Sequence, residues 1–219
     1  MSVKLDEIVE AVEEARKKAK KRRFTQSVEL IIKLRDVDVK KPENRINMEV
    51  PLPHPPPNKL AKVAVIATGD LALKAKQAKA DLVVSREDLE KIATSKKAAK
   101  ELAKSYDFFL AQPDLMPLIG RYLGRYLGPR GKMPKPVPPS ANIEAMLNRY
   151  RRSVRIRIKD QPQVMCRVGE ETQDSKEIAE NINAVIDALK TKFKIPQNIE
   201  RIYVKLTMGP AIEVKAKKV

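Results

Sequence analysis

Hydrophobic residues near both ends of the chain recur at spacings that predict helices and half-buried strands. Apolar residues at helical spacing from Leu5 to Ala15 predict an amphipathic helix. Apolar and polar residues alternate over residues 27–34 and 45–52, which is typical of strands with one buried face. The same patterns return near the C-terminus, with alternation at 154–168 and 203–214 and an amphipathic helix from about Ser175 to Phe193.

The middle of the chain has a different pattern, in which short apolar runs are continuous. The runs "VAVIA", "DLVVS" and "YDFFLA" are typical of strands that are buried on both faces. Helix-forming stretches separate them, including one long helix predicted over residues 86–105. Strands and helices that alternate in this way predict a parallel sheet with crossover helices.

Proline-rich segments mark the changes between these patterns. The stretch "PLPHPPP" holds five prolines in seven residues, and a second proline-rich stretch begins at Gly128. We therefore predict an α/β protein of two domains. An α+β domain is formed by both chain ends, residues 1–57 and 154–219, and an inserted Rossmann-like three-layer α/β domain spans residues 58–153.

The charge balance points to a polyanionic partner. Lys and Arg total 45 against 28 Asp and Glu, which gives a formal net charge of +17. The segment 121–159 alone contributes eleven basic residues and one acidic residue. Nucleic acid is the favoured partner, and a merely soluble, lysine-rich surface is the alternative.

The sequence contains little that would indicate an enzyme active site or a metal site. Cys166 and His54 are the only residues of their types, so no structural zinc site and no internal disulfide can be built. The turn "VIATGD" contains one glycine and matches neither glycine-rich nucleotide motif. No catalytic residue, metal or cofactor is predicted, and no apolar run is long enough to span a membrane.

Three stretches carry candidate chemistry, each with a structural alternative. In "LGPRGKMPKP", Arg130, Lys132 and Lys135 have no acidic neighbour, so the loop is either a rigid cationic site for phosphates or an exposed connection. In "RRFTQSVEL", Phe24 beside two arginines suits RNA, or it fastens the end of the first helix to the core. In "LTMGP", the break in the strand either docks RNA or is a β-bulge between strands.

Taken in the order in which they occur along the chain, these stretches resemble signatures of the large-subunit ribosomal protein L-one family, most closely its archaeal type. The matching segments are "RRFTQSVEL", "DLMPLIGRYLGRYLGPRGKMPKP" and "YVKLTMGPA", and the resemblance covers essentially the whole chain. It implies two domains, of which the first is built from both termini and the second is a Rossmann-like insertion. The chain departs from the family where Pro55, Pro56 and Pro57 follow His54, a place where many members have glycine.

The resemblance also implies partners and contact residues. The partners would be large-subunit rRNA at the mobile lateral stalk, exiting tRNA and the protein's own mRNA. The protein would be cytoplasmic, ribosome-associated and monomeric when free. Family positions for RNA contact fall on Arg23, Phe24, Ser27, Glu29, Met165, Thr207, Met208 and Gly209. Two rivals remain, an RNA-modifying enzyme and a nonspecific binder of polyanions or membrane surfaces.

Overall fold

The chain folds into two compact units, each with its own hydrophobic core. The computed structural model describes residues 4–195 and 197–215. A terminal unit is made of residues 1–60 and 152–219, and an inserted unit is made of residues 61–151. The sequence predicted crossings near residues 57 and 153. The predicted α/β fold class is confirmed.

The described secondary structure follows the chain in this order. The helices are α1 (Leu5–Lys18), α2 (Gly69–Gln77), α3 (Arg86–Thr94), α4 (Lys96–Ser105), α5 (Met116–Leu127), α6 (Ile143–Arg151) and α7 (Ser175–Lys190). The strands are β1 (Ser27–Leu34), β2 (Ile46–Pro51), β3 (Val63–Ile66), β4 (Leu82–Val84), β5 (Phe108–Ala111), β6 (Lys135–Pro136), β7 (Ser153–Ile158), β8 (Gln163–Glu170), β9 (Ile199–Leu206) and β10 (Ile212–Glu213). Two short 3-10 turns lie at Pro42–Asn44 and Pro113–Leu115.

The terminal unit is built around a four-stranded antiparallel sheet in the order β10-β9-β1-β8. The even-numbered residues of β1 from Val28 to Leu34 are buried in the core, while Ser27, Glu29, Ile31 and Lys33 point to the other face. Apolar residues of α1 and α7 join the core on the buried face. Strands β2 and β7 form a separate antiparallel pair whose inward residues belong to the same core. The alternation in the sequence therefore predicted the buried face correctly.

The inserted unit is a three-layer α/β structure. Its sheet has the order β4-β3-β5-β6 and every strand pair in it is parallel. Strands β3 and β5 are buried at every position, as their continuous apolar runs predict. One apolar cluster joins the sheet to α3, α4 and α5, and a second joins it to α2 and α6.

The long helix predicted over residues 86–105 is two helices, so that prediction was wrong. Helix α3 ends and α4 begins at Ser95, whose backbone is extended at φ −110° and ψ 108°. The Ser95 hydroxyl accepts a hydrogen bond from the backbone N–H of Ala98 at 3.3 Å. A serine that caps its own downstream helix competes with helix continuation, which explains the break.

Helix α5 occupies a stretch for which the sequence pattern predicted no element. Gly120 and Gly124 lower its helix propensity, and a Cβ added at either position would meet no atom within 4 Å. The helix is specified instead by a buried stripe at every fourth residue, Ile119, Leu123 and Leu127. Packing of this stripe outweighs the weak propensity of the outward face.

The Lys132 side chain ties the basic loop after α5 to the rest of the inserted unit, so it differs from the phosphate contact that the sequence offered as one alternative. The Lys132 ammonium donates to the carbonyl oxygens of Ala103, at 3.0 Å, and of Tyr106, at 2.6 Å. These carbonyls lie at the C-terminal end of α4, where the helix dipole favours a cation. Gly131 adopts φ +67°, a left-handed conformation that lets the loop turn back toward that helix.

The proline-rich segment 53–60, hereafter the proline strap, is fastened to the terminal unit by side-chain hydrogen bonds. The buried Asn181 accepts from the backbone N–H of His54 at 2.9 Å and donates to the His54 carbonyl oxygen at 2.6 Å. It also donates to the carbonyl oxygen of Val168 at 2.8 Å. Further along, Asn58 donates to a carboxylate oxygen of the buried Glu170 at 3.0 Å. The strap is therefore held at several points along its length.

Replacing Asn181 with leucine should destabilise the terminal unit. The change leaves the His54 N–H and the Val168 carbonyl oxygen without this side-chain partner, while the His54 carbonyl oxygen keeps a hydrogen bond from Gln173 at 3.1 Å. Each polar group left unpaired away from water costs about 1–3 kcal/mol. We expect a loss of about 3 kcal/mol in the free energy of unfolding, measured by chemical denaturation. Asn183→Leu on the same helix is the matched control, because Asn183 is only half-buried. Equal effects of the two changes would contradict this role for Asn181.

Replacing Lys132 with methionine should loosen the inserted unit. The variant keeps an apolar stem of similar length but removes the charged donor from two helix-end carbonyls, a loss of about 1–3 kcal/mol. We expect this loss of stability to appear as faster hydrogen exchange of the α4 amides and as a lower melting temperature. Arg130→Met is the control, because Arg130 is exposed and donates to the Tyr126 carbonyl within its own helix turn. A Lys132→Met variant as stable as this control would refute the cap.

Candidate RNA interface

The candidate interface lies on the outer face of the terminal unit's sheet, opposite the buried core. Antiparallel pairing places Glu29 of β1 across from both Arg167 of β8 and Lys205 of β9. In the next outward row, Ile31 pairs with Met165 on one side and Tyr203 on the other. The pairing thus collects residues from three distant parts of the sequence on one surface.

Three large apolar side chains at this surface are exposed to solvent. The exposed fractions are 49% for Phe24, 59% for Met165 and 58% for Met208. The alternative in which Phe24 fastens the first helix to the core does not hold, because half of the side chain is exposed. Met165 lies on the outer face of β8, Met208 lies in the turn after β9, and Phe24 lies in the segment that leads into β1. Exposed large apolar side chains on or beside one sheet favour a binding site there. All three were sequence-predicted contact residues.

The Thr207 hydroxyl forms a closed pair of hydrogen bonds with the backbone of Ser27. Its oxygen accepts from the Ser27 N–H at 3.1 Å, and the hydroxyl donates to the Ser27 carbonyl oxygen at 3.3 Å. The Thr207 backbone N–H donates to the same carbonyl at 3.0 Å. Because its single proton is used internally, the hydroxyl has only an acceptor lone pair to offer. It therefore suits a ligand donor such as a ribose 2′-hydroxyl better than a phosphate oxygen.

The segment Thr207–Gly209 is a tight turn that leads into the hairpin between β9 and β10. The Gly209 N–H donates to the Leu206 carbonyl oxygen at 2.9 Å, which places Thr207 and Met208 at the corners of the turn. The hairpin itself is antiparallel, with Ile212 paired to Val204. The predicted strand break is therefore a turn that presents two side chains outward.

Gly209 lies where the turn comes close to another part of the terminal unit. A Cβ at Gly209 would lie 3.2 Å from the Cβ of Ala19 and 3.5 Å from that of Leu206. The glycine thus lets the turn pack closely against the chain that follows α1.

Gln26 anchors the same turn from below, and sequence reasoning missed it. The side chain is 1% exposed. Its amide oxygen accepts from the Met208 backbone N–H at 3.3 Å, while its amide nitrogen donates to the Lys20 carbonyl oxygen and to the Glu171 carboxylate, each at 3.2 Å. No local pattern could identify it, because two of its three partners, Glu171 and Met208, lie far away in the sequence.

Glu29 and Lys205 place opposite charges side by side on the outer face. The Lys205 ammonium lies 3.6 Å from the Glu29 carboxylate and donates to the Thr207 carbonyl oxygen at 3.1 Å. The carboxylate is an acceptor that can receive hydrogen bonds from base amino groups or ribose hydroxyls. Its negative charge is offset locally, which reduces the repulsion that a phosphate backbone would otherwise meet.

An exposed basic segment lies beside these residues in the sequence. Lys20, Lys21, Arg22 and Arg23 are all exposed and directly precede Phe24. They have no acidic neighbour within that run, so they supply long-range attraction for a polyanion. The arrangement combines a run of exposed cations with a contact surface that holds hydroxyl, carboxylate and apolar groups.

Other residues that the sequence singled out are not part of this outer face. Arg130 and Lys135 belong to the inserted unit, where Arg130 is exposed and Lys135 is half-buried. Cys166 is half-buried beside the terminal core, and burial raises the pKa of its thiol to about 12, which makes it a poor nucleophile at neutral pH. Within residues 4–195 and 197–215, no group of three or more metal-ligating side chains could hold an ion. None of the described helices combines the length and apolar character needed to cross a bilayer.

Comparison with known proteins gives consistent matches over nearly the whole chain. Residues 15–210 match the family described as "Ribosomal protein L1p/L10e family". A relative from Thermofilum pendens, named large ribosomal subunit protein uL1, is 64% identical over 93% of this chain and 92% of its own length. Proteins of the same name from Pyrobaculum arsenaticum and Methanothermobacter thermautotrophicus are 49% and 50% identical, over 100% and 95% of this chain and 99% and 98% of their own lengths.

Proposed function

The chain belongs to the ribosomal protein L1p/L10e family, of the archaeal type, and we propose that it is a structural constituent of the large ribosomal subunit that binds large-subunit rRNA through its terminal unit. The proposed place is the mobile lateral stalk near the tRNA exit site, and the proposed role is not enzymatic. The observation that carries the proposal is the exposure of Phe24, Met165 and Met208 on or next to the sheet that also holds the Thr207 hydroxyl and the Glu29 carboxylate.

Each part of the surface suits a different part of an RNA. The exposed lysines and arginines of segment 20–23 suit phosphates, and their number supports a strong salt dependence of binding. Thr207 and Glu29 offer acceptors to 2′-hydroxyl groups, which distinguish RNA from DNA. Phe24, Met165 and Met208 supply apolar contact for unstacked bases and sugars. The uncharged contacts should therefore determine which RNA binds, and the cations should determine how fast and how tightly it is attracted.

We further propose that the same surface represses translation of the protein's own mRNA. A surface that recognises shape, 2′-hydroxyls and a few unstacked nucleotides will bind any RNA that presents the same local structure. The mRNA and the rRNA would then compete for one site, and substitutions in that site would weaken both in parallel.

The inserted unit is proposed to contact tRNA at the exit site and to assist release of deacylated tRNA. The support is the charge of the segment 121–159, which carries eleven basic residues and one acidic residue. Arg130 and Lys135 are the candidate phosphate contacts. Lys132 is not proposed as a phosphate contact, because its ammonium caps the C-terminal end of α4.

The rRNA assignment is tested by substituting Thr207→Val and Met208→Ala and measuring affinity for the rRNA target as a function of salt. We expect each change to cost roughly 1–3 kcal/mol of binding free energy. The slope of log affinity against log salt should hardly change, because no phosphate-neutralising cation is removed. An RNA that lacks the contacted 2′-hydroxyl should bind wild type and Thr207→Val with nearly equal affinity.

Matched controls come from exposed residues elsewhere in the chain. Thr94→Val and Met133→Ala alter the same side chains at exposed positions of the inserted unit, outside the candidate surface. They should leave affinity unchanged for both the rRNA and the mRNA targets. Full affinity in the folded Thr207 and Met208 variants would show that the turn is only a strand connection. Equal binding of wild type to unrelated RNA would favour a nonspecific polyanion binder.

The tRNA assignment is tested by the double change Arg130→Ala and Lys135→Ala in reconstituted ribosomes. We expect unchanged rRNA affinity and a reduced footprint on tRNA at the exit site, because two cations are lost from the inserted unit alone. Lys96→Ala with Lys100→Ala is the control, since it removes the same charge from the exposed face of α4. A footprint reduced equally by both pairs would indicate a general effect of charge and not a contact.

A further inference from the structure

The proline strap carries a lysine into the candidate RNA interface. We propose that Lys59 is a positioning residue for RNA recognition, which fixes the hydroxyl of Ser27 so that it donates a hydrogen bond outward to the RNA. The inference rests on the proposed function, because it assigns a task to Ser27 within that same surface. Lys59 is not part of any of the sequence motifs that predicted RNA binding.

The Lys59 ammonium is held between two oxygen atoms at the start of β1. It donates to the Thr25 carbonyl oxygen at 2.9 Å and to the Ser27 hydroxyl oxygen at 3.1 Å. An ammonium has three protons and no acceptor, so the Ser27 oxygen can only accept from it. The Ser27 proton must therefore point away from Lys59.

Among the hydrogen bonds of the described residues, none uses the Ser27 hydroxyl proton. The Ser27 backbone N–H and carbonyl oxygen are both engaged by Thr207. Among the hydrogen bonds of the described residues, the Ser27 hydroxyl acts only as an acceptor, from Lys59. Ser27 is half-buried and faces the outer side of the sheet. Its hydroxyl is therefore prepared to donate to an acceptor outside the protein.

Ser27 and Thr207 then form a complementary pair at one point of the surface. Ser27 offers a donor, and Thr207 offers an acceptor, as its own proton is directed at the Ser27 carbonyl. A ribonucleotide carries the matching groups close together, because the 2′-hydroxyl is a donor and the neighbouring 3′-phosphate is an acceptor. The ligand chemistry that this pair fits is thus one ribose with its phosphate, a unit that DNA lacks.

The strap fixes the position from which Lys59 acts. Arg167 donates to the Lys59 carbonyl oxygen, and the preceding Asn58 is bound to the buried Glu170. Pro55, Pro56 and Pro57 restrict the backbone before binding occurs. Little further ordering of Lys59 is then needed when RNA binds, which favours affinity.

A double-mutant cycle between Lys59→Met and Ser27→Ala tests the proposal with the full-length protein and the rRNA target. Each single change should weaken binding by about five- to tenfold, the effect of losing one hydrogen bond. The double variant should be no weaker than Ser27→Ala alone, because Lys59 acts through Ser27. The salt slope should be the same for Lys59→Met as for wild type, because the ammonium contacts the protein and not a phosphate.

Lys62→Met is the matched control, an exposed lysine close in sequence whose loss should change neither affinity nor coupling. Thermal unfolding without RNA separates a folding defect from a binding defect. If Lys59→Met does not fold, the cycle is repeated with Lys59→Gln, which keeps a polar group and the backbone contacts of the strap but removes the ammonium.

Three results would overturn the proposal. These are undiminished affinity in a folded Lys59 variant, losses that add fully in the double variant, or a salt slope that falls by about one unit, which marks a direct phosphate contact. A wild-type protein that fails to prefer the rRNA target over unrelated RNA would overturn the proposed function itself, and this inference with it.

Discussion

The pairing of β1 with a strand on each side is the constraint on which the terminal unit depends. Because β1 is bonded to both β8 and β9, its side chains must alternate strictly between the core and the outer face. Slipping the strand by one residue would bury Glu29 and expose Leu30, and the core and the RNA surface would be lost together. Stability of the fold and geometry of the surface are therefore consequences of one register.

Charge and shape have separate places in this protein. The formal net charge of +17 acts at a distance and attracts any polyanion. At the candidate surface, by contrast, the charges of Glu29 and Lys205 offset each other, and the apolar side chains of Met165 and Met208 are exposed beside them. Under the proposed function, the net positive charge would attract any polyanion without distinguishing one RNA from another, and the hydroxyl groups and apolar contacts of the candidate surface would select among them.

The sequence predicted those features whose cause is local, and missed those whose cause is not. Period-two alternation specified the buried face of β1, and continuous apolar runs specified the parallel strands of the inserted unit, because each pattern depends on burial alone. Ser95 divides a predicted helix by capping it, which composition cannot show. Helix α5 was not predicted, because its glycines weaken the helical pattern of its buried apolar residues. Lys132, Gln26 and Lys59 act through partners far away in the chain, so only the folded structure relates them to the elements that they hold.

Gly120 and Gly124 affect how readily helix α5 opens locally. Glycine in a helix costs about 1 kcal/mol relative to alanine, and no neighbouring atom fills the space beside Gly120 or Gly124. The helix is therefore held by its buried stripe and by the partly buried Met116, Leu118, Tyr122 and Tyr126, which pack on the same core, while the two glycines add no side-chain contact. Helical turns with few side-chain contacts open locally at lower free energy than densely packed ones. In the terminal unit, α7 has no glycine between Ser175 and Lys190. We therefore expect α5 to open more readily than α7 at its glycine positions, with its buried stripe still packed.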